Sequence, residues 1–361
     1  MFNDGINKKI LFFTGGTALR EIASEFSITN NLTMVNIITA FDSGGSSAVI
    51  REEFNVLAIG DIRNRLISLI LKKQNKETSN LLKYRFNNNY DNKKLQKELN
   101  KFIELNHPLI KNIENKYKVF FAKSLKTFND KKTDNFILQN GSVGNFIILG
   151  NYLKTQNIYD TIGTIRTLLS VKDEILPVTD ESLHIGAILE NNQEIIGQHN
   201  ITAKETPQLN SNIKKIFLLK QKININNLIK EKIKESDLII YPMGSFYTSV
   251  LSNFLVNGIN LSIKNNKNNK IYIPNTFFDP EINNRSLSFQ VNEILKYLHT
   301  NTPQNYLNYI IVDKNHNYPF KLDYENIDKN IKIIKTDIIN KNDSPKISAN
   351  KIIKELKKLL H

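Results

Sequence analysis

The sequence predicts an α/β domain with a mainly parallel central sheet and a helical insert, and three observations lead there. Apolar runs long enough for buried strands recur along the 361 residues, and several empty into short loops of small, hydroxyl-bearing residues. A helical apolar period, not a second alternation, follows those loops. One long segment, residues 72–134, carries helical patterns alone and interrupts the rhythm.

Residues 6–70 read strand, glycine turn, helix, twice over. Ile10-Leu11-Phe12-Phe13 runs into Thr14-Gly15-Gly16-Thr17, and Leu19, Ile22, Ala23 and Phe26 then give the i, i+3, i+4, i+7 stripe of a helix packed on a sheet. Val35-Asn36-Ile37-Ile38 feeds Asp42-Ser43-Gly44-Gly45-Ser46-Ser47, and Ile62, Leu66, Leu69 and Ile70 make the next stripe. Within the insert, Leu95, Leu99, Phe102, Ile103 and Leu105 recur near every 3.6 residues until His107-Pro108, because a residue before proline is pushed out of the helical region. Gly141-Ser142-Val143-Gly144-Asn145 opens another apolar helix. Residues 171–202 alternate like strands, with Asn191-Asn192 placed for a hairpin. Leu238–Tyr241 is a buried strand leading into Gly244-Ser245-Phe246-Tyr247-Thr248-Ser249 and a further apolar helix. Strands are expected again at Lys270–Pro274 and Tyr309–Val312, and an amphipathic helix at 348–360. No internal repeat or linker divides the chain, so 1–361 reads as one domain.

Composition narrows the function. Cysteine is absent, which excludes disulfides, thiolate metal sites and a cysteine nucleophile. No apolar stretch approaches the roughly 18–20 residues of a membrane span. The polar N-terminus has no signal-peptide core, so a cytoplasmic location is expected. The net charge is +14, and residues 72–134 hold 16 Lys or Arg against 7 Asp or Glu. Those positives are mostly lysines among asparagines, without the arginine and aromatic interleaving of a nucleic-acid groove, so solvated helical surface is the expectation.

The loops carry the chemistry. Segments 14–17, 42–47, 141–145 and 244–249 share one composition and each opens a helix, which suits phosphate: glycines let backbone N–H groups approach, hydroxyls add donors, and a helix N-terminus adds partial positive charge. None fits GxxxxGK[ST] or GxGxxG, so P-loop and ordinary dinucleotide sites are disfavoured. Asp42 and Asp61 would pair around a divalent cation, since carboxylates with substrate phosphate oxygens suit Mg²⁺. Asp61 as a helix N-cap is the plainer alternative. Arg51 and Arg63 would neutralise phosphate, with Asn64 beside them, and Arg65 is expected to be an ordinary surface residue. His184 and His199 show no metal spacing and are expected in the core or at the surface.

These motifs, with Gly60-Asp61-Ile62-Arg63-Asn64, fall in the order of the CofD/YvcK family, which the chain resembles over roughly residues 8–350. The Thr17-Ala18-Leu19-Arg20-Glu21 and Gly197-Gln198-His199 stretches are similar to the CofD-like proteins of bacterial GAK gene clusters. The resemblance implies a Rossmann-like three-layer domain. It implies transfer of a 2-phospholactyl-type group from a nucleotide diphosphate donor to an alcohol with Mg²⁺, as in 2-phospho-L-lactate transferase. The alternative it implies is a regulatory protein that binds a UDP-sugar without turnover, as in gluconeogenesis-factor proteins. Carried over by position, Gly15, Gly16, Thr17, Gly44, Gly45, Ser46, Ser47, Gly244, Ser245, Tyr247, Thr248 and Ser249 would hold nucleotide or phosphate, Asn145 would lie near the nucleotide and Asp42 by the metal or acceptor; the loop composition adds Ser43 and Ser142 to the phosphate set, and the carboxylate pairing adds Asp61 to Asp42 as catalytic and metal positions. Ser43 stands where the family usually has a second acidic residue. A nucleotide or nucleotide-sugar ligand, a homo-oligomer and an ATP-grasp enzyme encoded nearby are the expected partners. Nucleic acid and membrane are not.

Overall fold

A computed structural model describes residues 6–70, 76–202, 211–220, 222–300, 302–340 and 345–360. The first residues of the expected insert, 71–75, and the polar N-terminal five lie outside them. Ten strands are present among the described residues: β1 Lys8–Thr14, β2 Leu32–Ile38, β3 Glu174–Pro177, β4 Ile185–Leu189, β5 Glu194–Ile196, β6 Ile213–Leu218, β7 Leu238–Tyr241, β8 Asn269–Tyr272, β9 Tyr309–Asp313 and β10 Lys332–Thr336.

Seven of them form one sheet in the order β10-β9-β8-β7-β1-β2-β3, and every neighbouring pair is parallel. The continuous apolar runs follow from that burial, because a parallel sheet is covered on both faces. In β1, Ile10 and Phe12 enter one core while Leu11 and Phe13 enter the other, and β7 divides Leu238 and Ile240 from Ile239 and Tyr241 in the same way. The architecture is therefore the three-layer, Rossmann-like α/β fold.

Strands β4, β5 and β6 make a separate antiparallel sheet of order β5-β4-β6. The hairpin expected at Asn191-Asn192 is present, with Gly186 opposite Ile196 and Asn192 at a φ of 65°. β3, the first strand of the strand-like stretch 171–202, lies outside that hairpin: it pairs in parallel with β2 and joins the main sheet.

The insert is helical, as expected: Lys76–Lys83, Asn92–Ile103, Pro108–Lys111 and Asn115–Lys131. The apolar period ends with helix Asn92–Ile103, and Leu105 lies beyond it with φ 63°. His107 caps the short helix that Pro108 begins, accepting the Leu109 N–H at 3.2 Å, and its ring stacks on Phe102 at 3.7 Å. Two expectations change. The 141–145 loop does not follow a strand but leaves the insert, and the 244–249 loop opens a π-helical turn, Phe246–Val250, with a 3₁₀ helix behind it.

Candidate functional site

The strand order reverses between β1 and β7, and a doubly wound sheet leaves a crevice at the carboxyl ends of its strands at such a switch point. The loops after β1, β2 and β7 are 14–17, 42–47 and 244–249, so the topology brings them to one place.

In the first loop Gly15 and Gly16 are buried and Thr17 is exposed. Helix Gly60–Ile70 crosses beneath so closely that a Cβ on Gly16 would lie 2.3 Å from Asp61 Oδ1 and 2.8 Å from Asp61 Cα. Asp61 lies inside the first turn of that helix, not at its cap, and accepts the Thr39 hydroxyl at 3.3 Å.

In the second loop Asp42 organises the chain. Its Oδ1 accepts the Gly44 N–H at 3.1 Å and its Oδ2 the Ser47 hydroxyl at 2.8 Å. Gly45 opens helix Gly45–Phe54 at φ +48°, a left-handed conformation that favours glycine, and a Cβ there would meet nothing within 4 Å. Ser43 and Ser46 serve as struts: the Ser43 hydroxyl accepts the His199 N–H at 3.1 Å, and the Ser46 hydroxyl accepts from the Ser142 N–H at 3.2 Å and the Asn145 amide at 3.3 Å. The amide N–H groups of Gly16, Thr17, Gly45 and Ser46 have no hydrogen-bond partner among the described residues.

Three arginines support the loops from below. Arg51 donates to the carbonyls of Phe41, Asp42 and Leu183. Arg63 donates to the Ser142 hydroxyl and, at 2.7 Å, to Asn64 Oδ1. Arg65 corrects the surface expectation: it is fully buried and donates to Thr14 Oγ1 at 3.3 Å and the Gly15 carbonyl at 3.1 Å. Burial pulls Arg63 down to about 10, helped by the neighbouring charge of Arg85 and opposed by Asp61 and Asp42. Burial also pulls Arg65 down to about 10 against the attraction of Asp61. A Cβ on Gly60 would lie 2.9 Å from Asp42 Oδ2, so the second loop brings Asp42 up to the start of the helix that carries Asp61. No group of three or more metal-ligating side chains exists among the described residues. Two carboxylates fit Mg²⁺ only where a ligand's phosphates and water complete its shell.

The fourth loop differs from its expected role. Asp279 accepts the Phe246 N–H at 2.9 Å, and Glu281 accepts the N–H groups of Tyr247 and Thr248 at 2.8 and 2.9 Å and the Thr248 hydroxyl at 2.5 Å. The Tyr247 hydroxyl donates to Glu293 at 2.9 Å. Tyr247 and Thr248 are therefore buried structural residues with their donors spent inside the protein. Gly244 is tied to Asn275 at both its N–H and its carbonyl. Ser245 and Ser249 remain half-buried, and Ser249 Oγ borders Gly15.

Sequence reasoning missed three contributions. His199 reaches the second loop: its Nδ1 stands 2.8 Å from where a Cβ on Gly44 would be. Asp279 and Glu281 do not face the cleft but cap the fourth loop. Arg85, on the insert, lies within electrostatic reach of Asp42 and Arg63. His199 lies in the Gly197-Gln198-His199 stretch that carries part of the resemblance, and Arg85 is one of just 7 arginines among 49 Lys and Arg, so these two left a trace in the sequence.

A groove of about 400 Å³ adjoins the first loop, lined by Thr17, Arg20, Met243, Asn275, Phe277 and Ile347. Fold and site together define the class: a Rossmann-like α/β protein with a cationic, glycine-walled crevice at its switch point. The chain belongs to the CofD family, whose model, described as 2-phospho-L-lactate transferase CofD, matches residues 10–352. A Thermotoga maritima relative from the gluconeogenesis-factor group is 26% identical over 291 residues, 80% of this chain and 75% of that protein. The gluconeogenesis factor of Listeria innocua is 26% identical over 74% of this chain and 66% of its own length, and that of Bacillus subtilis is 26% identical over 76% and 70%. A crystal structure of a UPF0052 family member from Bacillus halodurans superposes with a TM-score of 0.75 at 21% identity, covering 97% of this chain and 99% of that one. No helix among the described residues is long and apolar enough to cross a membrane.

Proposed function

We propose that the crevice binds a nucleotide diphosphate ester and that the protein transfers its distal phosphate-linked group to an alcohol. The observation that carries this reading is the convergence of unpaired loop N–H groups and buried guanidiniums at the switch point, a pre-organised counter-charge for phosphate. The adjoining groove gives the remainder of such a ligand room.

In the proposed step the acceptor oxygen forms a bond to the distal phosphorus and the bridging P–O bond breaks. Nucleoside monophosphate leaves with the bridging oxygen, and the hydroxyl proton passes to a carboxylate. Asp42 is the candidate base, because Gly44 and Ser47 hold its carboxylate at the mouth of the second loop. Loops 14–17 and 44–47 would hold the phosphates by their N–H groups. Arg51, Arg63 and Arg65 would fix those loops and supply positive potential without touching the reacting atoms. Mg²⁺, held by Asp42 and Asp61 together with the phosphates, would neutralise charge when bound.

Thermal unfolding against GDP, UDP, ADP and UDP-sugars, each with and without Mg²⁺, tests the reading, since a ligand of the native state raises the midpoint. A Mg²⁺-dependent rise with a nucleoside diphosphate is expected. No rise with any of them overturns it.

A further inference from the structure

Arginine is scarce here, and its placement is uneven. Lysine supplies the ordinary solvated surface, yet five of the 7 arginines, Arg20, Arg51, Arg63, Arg65 and Arg85, fall in the first 85 residues. Four of them have been placed at the crevice or along the adjoining groove. Arg85 is the outlier in sequence, because it comes from the insert.

Its position is set by backbone pairing. Residues 84–86 lie antiparallel to 141–143: the Phe86 N–H donates to the Gly141 carbonyl at 2.9 Å, the Val143 N–H to the Tyr84 carbonyl at 3.0 Å, and Arg85 stands opposite Ser142. Ser142 is the residue whose hydroxyl holds Arg63. Both arginines are therefore anchored on the 140–142 stretch, Arg85 through the Asn140 carbonyl and Arg63 through the Ser142 hydroxyl, while Arg63 Nε and Asn145 Oδ1 are buried without a partner. Arg63 is 7% exposed and Asn145 1%. Arg85 itself is exposed, and its guanidinium makes one hydrogen bond among the described residues, to the Asn140 carbonyl at 2.9 Å.

We propose that the insert is one wall of the ligand site, with the exposed Arg85 guanidinium binding the ligand's phosphates beside the 141–145 loop. This rests on the crevice being the phosphate site. Lys94, Lys97 and the other described insert lysines then remain ordinary surface.

The test is calorimetric titration of the full-length chain with inorganic pyrophosphate. Arg85→Gln is expected to weaken binding about tenfold or more, while Lys123→Gln, on the exposed face of helix Asn115–Lys131, leaves it unchanged. Circular dichroism checks that each variant is folded. Gly45→Asp, whose Cβ has open space and whose charge would face the phosphate, reports on the crevice itself, with Gly45→Asn as its neutral control. Loss with Gly45→Asp but wild-type affinity with Arg85→Gln overturns the role of the insert alone. Equal losses in Arg85→Gln and Lys123→Gln also overturn it, by reducing the effect to net charge. Wild-type affinity with both Gly45→Asp and Arg85→Gln, or no binding by the native chain, overturns the crevice reading and this inference together.

Discussion

The loops after β2 and β7 are alike in composition and opposite in use. Gly45-Ser46 leaves its N–H groups unpaired at the start of a helix, while Phe246-Tyr247-Thr248 delivers its N–H groups to Asp279 and Glu281. A glycine- and hydroxyl-rich turn before a helix presents N–H groups in need of an acceptor in both cases. In one the acceptor must come from outside, and in the other the protein carries its own carboxyl groups. The deciding residues lie more than thirty positions from the fourth loop, which is why local composition could not separate the two.

The largest effect should come from removing the internal acceptor. Glu281→Ala leaves two buried N–H groups and the Thr248 hydroxyl without their acceptor, and should cost about 3 kcal/mol in urea unfolding, since each buried group left unsatisfied costs about 1–3 kcal/mol. The external site should respond chiefly in binding. Gly45→Asp should lose at least about tenfold in pyrophosphate affinity relative to Gly45→Asn, about 1.4 kcal/mol, while the two variants, which share the cost of a side chain at φ +48°, unfold at the same midpoint.

A pH difference sharpens the contrast further. Burial pushes the Asp279 and Glu281 carboxyls upward, Glu281 also through the charge of Asp279. The native state then holds protons more tightly than the unfolded chain, where such groups ionise near 3.8 and 4.5. Their contribution to stability is present at and below those values and falls as pH rises above them. Thermal midpoints of wild type minus Glu281→Gln, measured from pH 5 to 8, should therefore decline. A flat difference would show that the pair stays ionised throughout. The smallest effect is expected at the strut: Ser47→Ala removes one hydrogen bond from Asp42 and should cost about 1 kcal/mol in urea unfolding.

Much of this was legible beforehand. The alternation of apolar strand, small loop and helical stripe located β1, β2, β7 and the crevice, because parallel strands buried on both faces must be continuously apolar. β10 was missed because its burial is partial, as befits an edge strand. Asp42, Arg51, Arg63 and the glycines of the first two loops were readable from motif and resemblance. The burial of Arg65 was not, since its surroundings are assembled from β1 and the first loop, some fifty residues away. Where His199 and Arg85 sit was hidden for the same reason, each brought to the site by a segment that pairs only in three dimensions.

Phosphate should enter at the open loops and not at the self-capped one. Backbone amide shifts of the isotope-labelled chain, followed while inorganic pyrophosphate is added, test this directly. Gly16, Thr17, Gly45 and Ser46 should move while Tyr247 and Thr248 stay. Shifts concentrated at Tyr247 and Thr248, with the first two loops silent, would contradict it.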